Sequence, residues 1–307
     1  MDYKPLFNEP TVKQYNSHMV MSNVIRPIKT RYVNIDTRFR DDYDSSVTSN
    51  YVITLPQRIQ NVKSLKVTNI EIPFSYYNIS EDLKNNTIQF QDNTGTITVY
   101  TIPDGFYTPD SLATYFSNNP PNSYISYSQS SNFSQFIFSP DIGDGIVTMF
   151  IQFSVDDSGN FDRSDVKKKV GWLLGFRKIS YFMKPSVTTI TSESFIDLNG
   201  PRYMYVAIDE FTQNTSDNTF LAPLYKSIIN KNIMARVCPP KYPLTNYTFG
   251  NSVFQTNNKD GTLLSDTRSY PSVDLHKIRV ELLDESGHNL NLNGLDFSLC
   301  LEVEYEA

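Results

Sequence analysis

HKIRVELLDESGHNLNLNGLDFSLCLEVEYE, residues 276–306, decides the fold class of this chain. Ile278, Val280 and Leu282 alternate with charged residues, and Phe297, Leu299, Leu301, Val303 and Tyr305 alternate with mostly polar ones. A period of two places each set on one side of a pleated strand. With Asp284-Glu285-Ser286-Gly287 between them, the two runs read as a β-hairpin. The far side of the second strand carries Glu302, Glu304 and Glu306, a row that reads as a solvated face, with a surface for a basic partner as the alternative.

The same alternation recurs upstream. TIQFQDNTGTITVYTIP, residues 87–103, reads as a hairpin, because Asn93-Thr94-Gly95 supplies turn residues that tolerate positive φ. YVITLP (51–56) and VKSLKVTNIEIP (62–73) read as strands around a turn-like PQRIQN (56–61). In the second of these, Leu65 and Val67 keep one phase while Ile70 and Ile72 take the other, which predicts a bulge or a strand that changes partners. SQFIFSP (134–140), IVTMFIQFSV (146–155) and NIMARVCPP (232–240) add further strands. PRYMYVAIDEF (201–211) is apolar on both sides, as expected of a strand inside a sandwich. Residues 241–270 read as long, aromatic loops of the kind that make contacts.

Two short helices interrupt this pattern. Thr108 is a natural N-cap for Pro109 and Asp110, with Leu112, Tyr115 and Phe116 on one face and a stop before Pro120-Pro121. Ser164 is the expected cap of a second helix that sets Val166, Val170, Leu173 and Leu174 on one side and ends at Gly175. Gly171 weakens it by about 1 kcal/mol relative to Ala. Trp172, Leu173, Leu174 and Phe176 are expected to dock this helix on a sheet, and Lys167-Lys168-Lys169 to form its solvated side.

These elements give an all-β expectation: a jelly-roll-like antiparallel β-sandwich at residues 31–307 with an inserted helix-containing segment at 106–175, preceded by an extended arm at 1–30. The alternative is two adjoining β-sandwiches. Twenty Tyr and twenty Phe in 307 residues suit half-buried pleated surfaces.

Composition narrows function. A formal net charge of −6 disfavours a surface built to neutralise phosphates, so nucleic acid is not an expected partner. Cys238 and Cys300 are far apart and match no metal-ligand spacing. His18, His276 and His288 form no His-x-His or His-Glu-x-x-His arrangement, and no phosphate-cradling loop is present. DIGDGIV, residues 141–147, lacks the alternating oxygens of a calcium loop. No catalytic, cofactor or metal residues are therefore assigned. The N-terminal residues carry no secretory pattern, and no run reaches the roughly 18 apolar residues of a membrane span, so a chain made in cytosol is expected.

NIDTRFRDD, residues 34–42, concentrates opposed charge next to Ile35 and Phe39. Asp36, Arg38, Arg40, Asp41 and Asp42 read as a clamp or interface held by Arg–carboxylate bonds, since Arg offers a planar fork of donors. An exposed charged turn is the alternative.

The order of segments resembles virion proteins of the nucleocytoplasmic large DNA viruses, the giant viruses. The resemblance runs through YVNIDTRFRDDYDSSVTSNYVITLP and NVKSLKVTNIEIPFSYYNIS, the IPDGFYTPDSLATYF helix, VGWLLGF with DLNGPRYMYVAID, and HKIRVELLDESGHNL. The last three are also similar to minor capsid or penton-type jelly-roll proteins of virophages. The resemblance implies that residues 47–73 and 276–305 are sheet neighbours with the middle of the chain inserted between them. It further implies a non-enzymatic virion structural protein, made in host cytoplasm, that contacts major capsid proteins and other minor capsid proteins and forms a pentamer if it is a penton. A carbohydrate- or receptor-binding sandwich using residues 241–270 is the rival expectation.

Overall fold

The computed structural model describes residues 26–156, 158–162, 166–211, 232–239, 248–257, 259 and 261–307. Strands β1 (Ile28–Asp36) and β2 (Asn50–Pro73) come first. They are followed by β3 (Thr87–Asp92), β4 (Ile97–Thr101), helix α1 (Pro109–Asn118), β5 (Ile125–Ser130), β6 (Phe133–Phe138) and β7 (Met149–Gln152). Helix α2 (Val170–Leu173), β8 (Ser180–Met183), β9 (Thr189–Thr191), β10 (Met204–Asp209) and β11 (Ile233–Val237) come next. The chain ends with β12 (Val253–Asn257), β13 (Leu263–Ser265), β14 (Thr267–Leu283) and β15 (Ser298–Glu306). The protein is all-β with two short α-helices among the described residues.

The chain forms two compact units. One comprises Met1–Pro73, Tyr203–Cys238 and Val253–Ala307; the other comprises Phe74–Arg202 and Pro239–Ser252. The 106–175 stretch lies inside the second unit.

The first unit is an antiparallel sheet in the order β1-β15-β2-β14-β10-β11-β13, with β12 also paired to β2. Its axis is the 24-residue β2, which pairs with β14 along one side and with β15 along the other. The implied neighbourhood of residues 47–73 and 276–305 is thus present, but not as the hairpin read from 276–306. The Asp284–Gly287 turn does form, with Asp284 Oδ1 accepting from the amides of Ser286 and His288. The returning segment pairs back only as far as the Leu290 amide on the Leu282 carbonyl. The connection to β15 is then long enough for β2 to lie between β14 and β15. Long-range strand order of this kind leaves no local mark in sequence.

PQRIQN, read as a turn, is instead continuous strand within β2. Asn61 takes φ +53°, and the β14 register shifts at three places opposite this region, so bulges replace the turn. The phase change between Val67 and Ile70 is a real bulge: Cys300 pairs with Asn69 and Leu301 with Val67, which leaves Thr68 as the extra residue. Its hydroxyl donates to the Cys300 carbonyl. One inserted residue turns both phases inward, so Leu65, Val67, Ile70 and Ile72 are all fully buried. β10 is buried on both sides, with Tyr205 and Ala207 packed against Ile233 and Leu283.

The second unit is a small sandwich. Sheets β4-β3-β7-β8 and β5-β6-β9 enclose one core that includes Phe90, Phe136, Phe138, Ile151 and Met183. Each such side chain contributes about 1.5–3 kcal/mol by leaving water. Helix α1 starts as expected: Thr108 accepts from the Ser111 amide, Ser111 returns a bond to the Thr108 amide, and Leu112 and Phe116 enter the core.

The second helix is shorter than expected. Ser164 lies outside the described residues, and Val166–Lys168 is a single 3-10 turn separated from α2 by Lys169 in an extended conformation. Lys169 is buried, and its ammonium donates to the carbonyls of Lys84 and Val155 and pairs with Asp162 at 2.8 Å. Reaching those three acceptors breaks the helix, so Lys169 is an internal tie rather than part of a solvated face.

Gly171 and Gly175 have structural reasons to be glycine. A Cβ on Gly171 would fall 2.3 Å from the Phe153 ring. Gly175 has φ +93°, and a Cβ there would meet the Ser194 carbonyl oxygen at 2.1 Å. Gly171→Ala is expected to cost about 1–3 kcal/mol by overpacking, despite the gain in helix propensity. Trp172 fluorescence during urea unfolding checks this; an unchanged or raised midpoint contradicts it.

Candidate functional site

The charged stretch at 34–42 folds into a closed loop at the end of β1. Asp36 ends the strand and caps a one-turn 3-10 helix at Thr37–Phe39, accepting from the Arg38 amide at 2.9 Å. The Arg38 guanidinium then returns over the same carboxylate, with Nε 3.0 Å from both oxygens and Nη2 2.6 Å from Oδ2. That bond from the Arg38 side chain holds the Asp36 carboxyl below its ordinary pKa; partial burial opposes the shift, and the Arg38 amide adds to it. Arg38 is 65% exposed, so this pair shapes a surface.

Arg40 behaves differently. Its side chain is only 6% exposed, and its donors are spread over the loop. Nε donates to Ser46 Oγ, Nη1 to the Thr37 carbonyl and Asp296 Oδ1, and Nη2 to the carbonyls of Tyr43 and Ser46. The guanidinium also lies 3.9 Å from the centre of the Tyr43 ring. Asp296 precedes β15 and accepts from the Thr37 hydroxyl at 2.6 Å as well. Thr37 closes the circuit: its amide donates to the Phe297 carbonyl, and its Oγ1 accepts from the Phe297 amide.

The two remaining acids have separate tasks. Asp41 accepts from the amide and hydroxyl of Thr54 on β2, and its own amide donates to the Val52 carbonyl. Asp42 takes φ +50° and uses its carbonyl, which accepts from the amides of Ser45 and Ser46. So the structure brings Asp36 and Arg38 together, but Arg40 bonds to neither Asp41 nor Asp42. Its partners Thr37, Ser46 and Asp296 were not singled out in the sequence; Asp296 lies over 250 residues away and becomes visible only once β1 and β15 are known to pair.

This arrangement fixes the backbone of the loop. Every donor of Arg40 is committed, and the locked loop turns its apolar side chains outward: Phe39 is 73% exposed, with Tyr43 and Val47 also exposed. Leu295, beside Asp296, is exposed too. Tyr43 is itself a partner of Arg40, Val47 follows its partner Ser46, Leu295 precedes its partner Asp296, and Phe39 precedes Arg40.

The second predicted set lies elsewhere. Leu174 and Phe176 are in the core of the second unit, where Phe176 stacks on Phe153 at 5.0 Å and Leu173 packs at the margin. Trp172 is half-buried beneath the Arg177 guanidinium, which is 4.1 Å from the ring and donates to the Trp172 carbonyl. Residues 241–270 are not one loop, because they contain β12, β13 and the start of β14. Among the described aromatics there, Phe254 and Tyr270 are buried and Phe249 stacks on Phe106, so none forms an open platform. Residues 241–247, 258 and 260 of that expectation lie outside the described residues.

One further ion pair escaped the sequence reading. Glu210 has a fully buried side chain and meets Arg268 Nη1 at 2.7 Å, while the same guanidinium donates to the carbonyls of Ile208 and Asn232. Burial, then the nearby Glu210 charge, pushes the Tyr270 phenol upward. Among the described residues, no group of three His, Cys, Asp or Glu side chains is placed to hold a metal ion, and no helix is long and apolar enough to cross a membrane.

No family model and no curated protein matches the chain. Among solved structures it is similar to the mavirus penton protein, with 10% identity over 90% of this chain and 99% of that one, at a TM-score of 0.39. It is also similar to a chain of the Sputnik virophage, with 13% identity over 90% and 98% of the two chains, at a TM-score of 0.35.

Proposed function

We propose that the chain is a virion structural protein, a minor capsid or penton-type component that contacts major capsid proteins and stabilises the shell. The observation that carries this reading is the Arg40 loop. A buried guanidinium with all its donors committed holds the loop that carries Phe39 and Tyr43, and both rings remain largely exposed. A rigid apolar projection lowers the ordering cost of association and is a usual mark of a protein contact. The resemblance of residues 31–305 to giant-virus virion proteins supports the same reading. In it, Asp36, Arg38, Arg40, Asp41 and Asp42 shape the contact, Trp172, Leu173, Leu174 and Phe176 anchor the second unit, and no residue is catalytic. The partners are capsid proteins of the same shell, and at a fivefold vertex the chain is a pentamer. It acts in the virion after synthesis in host cytoplasm.

The leading segment is part of this proposal. Residues 1–25 lie outside the described residues, and β1 already begins at Ile28, so residues 28–30 of the expected arm belong to the sheet. Deleting residues 1–25 is expected to leave the thermal transition unchanged while lowering incorporation into particles. Particle-associated protein, measured by immunoblot of gradient-purified virions, checks this; normal incorporation removes the arm from the account.

A further inference from the structure

β1 lies at the edge of its sheet, and its hydrogen bonds can be assigned residue by residue. The Ala307 amide donates to the Pro27 carbonyl at 3.1 Å, and the Thr37 amide to the Phe297 carbonyl at 3.0 Å. With the uninterrupted register from Ile28–Glu306 to Asp36–Ser298, these two bonds fix the parity of the ladder. Odd-numbered residues of β1 bond to β15. The amides and carbonyls of Ile28, Thr30, Tyr32 and Asn34 therefore point away from it, and β15 is the only strand that pairs with β1 among the described residues.

An open edge nine residues long is a template for another strand unless charge, proline or a bulge blocks it. Here the guards are misplaced. Pro27 precedes the strand. Arg31 turns to the other face, where it lies over Tyr305 and donates to Gln57. The side chains beside the open backbone are uncharged up to Asp36: Ile28 is 61% and Tyr32 63% exposed, with Thr30 and Asn34 exposed between and beyond them. Asp36 is itself held by Arg38. The opposite end of the sheet path, β13, has only three residues.

We propose that this edge is a self-association site, in which β1 of one copy pairs antiparallel with β1 of a second copy across a two-fold axis. Charge admits a second copy and bears on the register. With Tyr32 on the axis, Thr30 faces Asn34, Ile28 faces Asp36, Arg31 faces Val33 and Lys29 faces Ile35, so no like charges are directly opposed. A shift of the axis to Arg31 sets that residue against its own copy, and a shift to Val33 carries Lys29 past the strand end at Asp36. The centred register forms about ten backbone hydrogen bonds and continues one sheet through both copies, an isologous contact that closes on itself. This goes beyond the capsid reading, because it is a property of the free protein and requires no shell.

Sedimentation velocity of the full chain over a range of concentrations tests it, with a concentration-dependent dimer expected. Thr30→Pro removes an amide that points away from β15, which an edge strand tolerates, so the variant is expected to keep its circular dichroism and melting transition yet remain monomeric. Tyr32→Glu places two carboxylates at the axis and is expected to weaken dimerisation by more than about tenfold. The chain lacking residues 1–25 is expected to dimerise like the intact one. A monomer at every concentration, a dimer unaffected by Tyr32→Glu, or a dimer lost with residues 1–25 overturns the proposal.

Discussion

Replacing Arg40 by Ala is expected to destabilise the protein by about 3–5 kcal/mol, the range for removing a buried charged group whose acceptors are then left unpaired. The change strips donors from three carbonyls, Ser46 Oγ and Asp296 at once. Lys is not expected to restore the loss, because a single ammonium cannot reach acceptors arranged around a planar fork. The neighbouring Arg38→Ala serves as the control: that side chain is largely exposed and its partner is local, so its unfolding midpoint should barely move. Urea unfolding followed by circular dichroism separates the two. Equal, small effects from both substitutions would return the whole stretch to the status of an exposed charged turn.

Arg268→Ala is expected to be of similar size, about 3–5 kcal/mol, for a related reason. Glu210 is fully buried, and Arg268 is the cation that compensates it and also satisfies the carbonyls of Ile208 and Asn232. Removing the guanidinium leaves a carboxylate inside the sheet. The double substitution Glu210→Met with Arg268→Met should recover much of the loss, since a buried pair exchanged for apolar side chains of similar volume often costs little. A double-mutant cycle reads the coupling directly. Additive single effects would mean that the two side chains do not depend on each other.

How far such features can be read from sequence depends on whether their cause is local. The Thr108 cap, the Asn93–Gly95 hairpin and the Thr68 bulge were legible because each is written in a few adjacent residues: a cap with Pro after it, a turn triplet, a change of phase. The left-handed Gly175 was legible for the same reason. Strand order was not, because β2 separates β14 from β15 through pairings more than 200 residues apart in sequence. The resemblance to known virion proteins, rather than the alternation itself, placed the two ends of the chain in one sheet.

The candidate site shows the same division. Charge density marked residues 36–42, and the Asp36–Arg38 fork follows from their spacing. The burial of Arg40 does not, since its carboxylate partner is Asp296. Lys169 misled the reading because a lysine run at helical spacing is ordinarily solvated, whereas here one member turns inward to three acceptors and breaks the helix. Glu210 sits at the end of an apolar strand, and its partner Arg268 belongs to a segment read as loop.

A density map of intact particles tests the central claim most directly. The account predicts that this chain occupies the shell with the Thr37–Val47 loop against a neighbouring capsid subunit, Phe39 and Tyr43 buried in that contact. Five copies at each fivefold axis would identify a penton, and copies along facet edges a minor cementing component. Absence of the chain from the shell, or its presence with that loop facing solvent, would contradict the account.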